Sequence, residues 1–171
     1  MQYQRFGGKT AKGRTVVPHQ LKQYNNRWYV VGTEEAKQPR HRFVVAPLDR
    51  IVELKVKSER RNAEPTPSAK EIREYFSHIV GVSLLPEGKV QEVVLKARKP
   101  EAWYIQTKPI HQSQEVIEED DEAVTFRLEV IPNEELVQQL MVYADVVEVM
   151  RPASLRKEMR ERAESILALN K

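Results

Sequence analysis

Along the first third of the chain, apolar and polar residues alternate with a period of two, the pattern of strands with one covered face. Met1 to Phe6 alternates in this way, Gly7-Gly8 tolerates positive φ, and Arg14 to Val17 is the expected return strand. Pro18 lacks a backbone donor and predicts a strand break. Gln20 to Tyr24 and Arg27 to Val31 flank Asn25-Asn26, a two-residue loop whose asparagines accept the left-handed conformation of a tight hairpin. The run Arg27-Trp28-Tyr29-Val30-Val31-Gly32 suits a pleated, half-buried surface, and Leu48-Asp49-Arg50-Ile51 is a second apolar run carrying one arginine; both read as strand. Thr33 to Arg40 is a polar loop, and Arg42 to Ala46 and Ile51 to Val56 are further strands. Five short strands in this space predict a small curled barrel rather than a sandwich.

The period then changes. Ser58 to Ser68 collects Arg60, Arg61, Asn62, Pro65 and Pro67 and reads as a linker and hinge. Ser68 and Glu71 form a capping box ahead of Ile72, Tyr75, Phe76 and Ile79 at helical spacing; Gly81 ends this helix and Pro86-Glu87-Gly88 is a second break. Val90 to Ala97 is a strand, and Pro100 opens a short helix over Glu101 to Thr107. Gln112 to Glu118 and Ala123 to Val130 form a hairpin across Glu119-Asp120-Asp121. Asn133 caps a helix with Leu136, Leu140, Met141 and Tyr143 on its apolar side, Val146 to Met150 is a last strand, and a charged helix runs from about Ser154 to Leu169. The order β-α-β-β-α-β is that of a ferredoxin-like sandwich. The resulting plan has a β-domain over 1–57, a linker with a short helix over 58–88, and an α+β domain with a terminal helix over 89–171.

Charge sharpens this division. The net charge of +3 is a difference between halves: residues 1–61 hold 14 Lys and Arg against 5 Asp and Glu, and residues 62–171 hold 14 against 20. A basic first half suggests an anionic partner. The absence of cysteine excludes a disulfide framework and a thiolate nucleophile and fits a reducing compartment. No apolar run is long enough to span a membrane and Met1 to Arg5 has no signal-peptide character, so a cytoplasmic protein without membrane contact is expected.

Holding phosphates and planar rings takes cations beside aromatic faces, and Tyr3, His19, Arg27, Tyr29, Arg40, Arg42 and Arg50 supply both within the basic half. Side chains alternate along a strand, so Arg27 and Tyr29 share one face and Trp28 and Val30 the other; Trp28, Val30 and Val31 are expected in the core. Enzyme chemistry finds no support. His19, His41, His78 and His111 are scattered without metal-ligand spacing, and no nucleophile elbow, P-loop or dinucleotide fingerprint occurs, so neither metal nor cofactor is expected. Glu118 to Glu122 lacks the glycine and alternation of a calcium loop and reads as a solvated hairpin tip.

With Trp28-Tyr29-Val30, Asp49-Arg50-Ile51 and the ending Val147-Glu148-Val149-Met150-Arg151-Pro152-Ala153-Ser154-Leu155-Arg156 in place, the chain resembles the WYL-domain family over essentially its whole length. Tyr3, the Pro18 to Leu21 segment and the Tyr75-Phe76 helix leading to Gly81 add to the match. Val30 stands where the name-giving motif has leucine; the arginine usual before the Leu-Asp-Arg-Ile segment falls by counting on Val44, with Arg40 and Arg42 just upstream; and Ala144-Asp145 replaces a customary glycine. The resemblance implies a mostly β, α+β chain: an SH3-like or Sm-like β-barrel joined to a ferredoxin-like extension. It implies a sensor region of a helix-turn-helix transcriptional regulator. An anionic ligand, nucleotide or single-stranded nucleic acid would bind the basic groove and alter DNA binding by a dimer. The DNA-binding helix-turn-helix would lie outside this chain, which is then a truncated piece or a free-standing sensor. A protein-interaction and dimerisation module without a small ligand is the competing expectation.

Overall fold

The computed structural model describes residues 1–34, 43–57, 67–83, 85 and 87–171. Arg40, Arg42, most of the loop expected over Thr33 to Arg40, the linker as far as residue 66 and Pro86 lie outside the described residues. The described residues are mostly β, with several antiparallel sheets and four α-helices, an α+β arrangement, and the chain forms two compact units, Met1–Glu74 and Tyr75–Lys171. No helix among the described residues is long and apolar enough to cross a membrane.

The first unit holds two three-stranded antiparallel sheets, and its described residues form no closed barrel. In one, β3 (Val16–Tyr24) and β4 (Arg27–Glu34) make the hairpin, with Asn25 and Asn26 at φ 45° and 58°, and β5 (Phe43–Pro47) pairs with the far edge of β4. In the other, β1 (Gln2–Tyr3) lies between β2 (Lys12–Gly13) and β6 (Ile51–Glu53). The two sheets separate at Pro47. Lacking an N–H, it ends the β5 ladder, and Leu48–Arg50 forms a 3₁₀ turn instead of the expected strand before Ile51 starts β6. The return strand also differs from expectation: β2 answers β1, while Arg14 precedes a single long β3. Pro18 does not break that strand, because the register shifts between Pro18 and Gln20 and leaves His19 as the extra residue of a bulge.

Trp28 corrects a further expectation, being 48% exposed. It follows the same alternation as Val30 and Gly32, whose cross-strand partners Ala46 and Val44 are buried. The β4–β5 ladder starts only at Tyr29, so no β5 residue stands beside Trp28. Val31 is fully buried and Val30 only partly.

The second unit is built on one four-stranded antiparallel sheet in the order β10-β7-β9-β8, from β7 (Gln91–Arg98), β8 (Glu115–Glu119), β9 (Ala123–Val130) and β10 (Val147–Arg151). Ahead of it, α1 (Ala69–Phe76) starts at the expected reciprocal cap, Ser68 N donating to Glu71 Oε2 at 2.7 Å and Glu71 N to Ser68 Oγ at 3.2 Å. Helix α2 (Glu101–Thr107) follows β7, α3 (Glu134–Met141) follows β9, and α4 (Ala153–Leu169) closes the chain. Val93, Leu95, Phe126, Leu128, Leu136, Leu140 and Leu155 form the core, each at most 1% exposed. Asn133 serves twice: its Oδ1 accepts from Leu136 N at 2.9 Å as the helix cap, and its Nδ2 donates to Val80 O at 2.8 Å.

Candidate functional site

Among the described residues, aromatic and cationic groups converge most closely in the first unit, around Phe6. Gly7 at φ +70° and the Gly8 N to Arg5 O bond of 2.9 Å close a tight turn, and Gln4 Nε2 donates to Gly8 O at 2.8 Å. That turn lifts Phe6 off the sheet, leaving the ring 68% exposed. The pairing of β1 with β6 brings in Arg50 from the 3₁₀ turn, with Gln4 N donating to Arg50 O at 3.0 Å. The Arg50 guanidinium carbon stands 4.0 Å from the Phe6 ring centroid, and Nη1 lies 3.4 Å from Tyr3 Oη. Arg27, from the first residue of β4, approaches the same ring at 5.6 Å. Two guanidiniums therefore address one exposed ring. Stacking on a ring leaves their N–H edges able to donate to oxygen, the arrangement that planar anions and phosphates exploit.

Acidic neighbours set the local balance. Arg27 Nε meets Asp49 Oδ2 at 3.3 Å, an exposed pair that solvent screens. Arg14, 5.8 Å from the Tyr3 ring, is engaged by Glu34 through Nε at 3.2 Å and Nη2 at 2.8 Å; this hydrogen bonding raises its already high pKa. Arg50 Nε is buried and finds no hydrogen-bond partner among the described residues.

The structure thus gathers Tyr3, Arg27 and Arg50 and places Tyr29 and His19 apart from that ring, while Arg40 and Arg42 lie outside the described residues. Tyr29 stands two positions along β4 from Arg27, half-buried between Lys22 and Pro47 in the ladder. Burial lowers the pKa of Lys22. His19 is held at the bulge by Thr33 Oγ1 at 3.0 Å. Thr33 lies six residues from Arg27 along β4, roughly 20 Å of strand. Sequence reasoning missed Phe6, Arg14 and Asp49. The Gly7-Gly8 pair was the available signal for Phe6, since a glycine-bearing turn displays the side chain just before it.

Comparison with known proteins finds two domain models in the chain. Residues 1–56 match the WYL domain model and residues 89–167 the WCX domain model. No curated protein matches the chain in sequence. Among solved structures, a CRISPR Cas-related protein is similar at a TM-score of 0.57 and 12% identity over 98% of this chain and 46% of its own. Proteasome accessory factor B/C (PafBC) of Arthrobacter aurescens is similar at a TM-score of 0.34 and 19% identity, over 92% of this chain and 23% of its own. The chain spans less than half the length of either protein. With a WYL domain followed by a WCX domain, the chain belongs to the WYL-domain family.

Proposed function

We propose that this chain is the non-enzymatic, ligand-sensing region of a cytoplasmic transcriptional regulator. An anionic ligand, a nucleotide or single-stranded nucleic acid, binds over Phe6 with its phosphate on Arg27 and Arg50, and Tyr3 borders the site. Arg40 or Arg42 adds a third cation in this reading. Binding alters DNA recognition by a helix-turn-helix domain attached to the chain or carried by a partner, in a homodimer. The architectural part of the reading is an SH3-like or Sm-like first unit and a ferredoxin-like extension; the sheet order β10-β7-β9-β8 supports the latter. The observation that carries the function is the pair of guanidiniums on one exposed ring.

Fluorescence anisotropy with a labelled single-stranded oligonucleotide and a labelled nucleotide, across a salt series, tests the site. Affinity should fall with salt, and joint Arg27→Ala and Arg50→Ala substitution should abolish binding. Phe6→Ala should weaken it by about 5- to 150-fold, the worth of roughly 1–3 kcal/mol per stacked base. Binding that survives the double substitution would sink the assignment. Trp103 and Tyr104, 51% and 68% exposed side by side on α2, favour the second reading, a protein-interaction module; absence of anisotropy change at any salt would point there.

A further inference from the structure

The segment that follows the 3₁₀ turn carries a stripe the ligand reading does not use. Val52, Leu54 and Val56 alternate along it and are 58%, 67% and 90% exposed. Glu53, Lys55 and Lys57 occupy the intervening positions, and Lys55 Nζ reaches Glu53 Oε1 at 3.0 Å, so the charged positions share a side. β6 is the edge of its sheet, with β1 as its one neighbour among the described residues. A sheet edge has unpaired backbone donors and acceptors that can pair with another chain, and proteins blunt such edges with short strands, charges, bulges or a covering element; an exposed apolar stripe beside the edge favours pairing. Here one side is wholly apolar.

We propose that this edge is where a second copy of the chain docks, β6 and the residues that follow it as far as Lys57 pairing antiparallel with their counterparts about a two-fold axis at Leu54, so that docking extends the three-residue strand. The charges select that register. With the axis at Leu54, Glu53 of each copy stands opposite Lys55 of the other, Val52 opposite Val56, and Leu54 opposite Leu54. Moving the axis to Glu53 sets glutamate against glutamate, and moving it to Lys55 sets lysine against lysine. Directly opposed like charges destabilise an antiparallel pair and opposed unlike charges stabilise it. The same two-fold brings the Val52, Leu54 and Val56 side chains of both copies together on the other side of the joined sheet, and the isologous geometry closes the assembly at two copies. This inference does not depend on the ligand site.

Sedimentation of the full chain, with circular dichroism as a check on folding, provides the test. The wild type should sediment at twice the mass of the chain. Glu53→Lys and Lys55→Glu should each weaken dimerisation by about tenfold or more, because each places like charges opposite one another. An equimolar mixture of the two variants should recover a heterodimer, since one copy then carries lysine at both charged positions and faces glutamate at both positions of the other. Leu54→Lys should remove the dimer without unfolding the chain, its side chain being exposed. A monomeric wild type overturns the proposal, as does a dimer that tolerates all three substitutions. Folded single variants whose mixture stays monomeric would overturn the Leu54 register.

Discussion

Gly32 shows how tightly a single position can be held in the first unit. A Cβ there would stand 2.5 Å from both Val16 Cγ1 and Val17 O, closer than any real contact. The neighbouring strand cannot retreat, because Gly32 lies opposite Pro18 in one ladder and Val44 in the other. Gly32→Ala should therefore destabilise the chain by about 1–3 kcal/mol, the usual range for overpacking, seen as a lower denaturant midpoint. Phe6 is the opposite case. Its ring makes its contacts with guanidiniums on the surface, so Phe6→Ala should leave the midpoint nearly unchanged while weakening ligand binding. A substitution that did both would show that the ring is structural.

At the scale of elements, the turn joining β8 and β9 ties stability to pH. The Asp120 carboxylate accepts from Glu122 N at 2.8 Å and Ala123 N at 2.7 Å, and these backbone bonds, with Lys96 nearby, hold its pKa below the ordinary carboxylate range. A depressed folded-state pKa contributes stability above the unfolded-state value of about 3.9 and loses it as pH falls through the folded value. Thermal melts of Asp120→Asn should accordingly lie below wild type at neutral pH, with the gap narrowing below about pH 4. A gap that is constant or widens on acidification would refute the assignment. This turn was legible in the sequence, as were the Asn25-Asn26 hairpin, the Ser68 capping box and the Asn133 cap, because each depends on residues within a few positions of one another. The 3₁₀ turn at Leu48–Arg50 and the bulge at His19 were not legible. Both arise where a proline meets a ladder, and whether the chain stops, kinks or bulges there depends on the strand alongside. The Phe6 cluster was hidden for a related reason: strand pairing across the unit brings Arg50 to Phe6, and no spacing along the chain records it.

For the whole molecule, the asymmetry of charge makes ionic strength a sensitive variable. Fourteen basic residues among the first 61 give that part a long-range attraction for anions, and residues 62–171 oppose it. The slope of log K against log salt counts phosphates neutralised, at about 0.7 per contact for a single strand. Replacing Arg27 alone should flatten that slope by about 0.7, whereas a substitution acting through folding would lower affinity and keep the slope. The sign of the overall balance was readable from composition, but its focus at one ring required the fold.

The ion pair between Arg27 and Asp49 bears on which anions the site admits. In the proposed site Asp49 is a tethered competitor, resting on Nε of one of the two guanidiniums an incoming phosphate would use. A doubly charged terminal phosphate displaces it more readily than a singly charged diester. Asp49→Asn should then tighten binding of both probes, the diester more than the terminal phosphate. Removing that one carboxylate would broaden the range of anions the proposed site accepts.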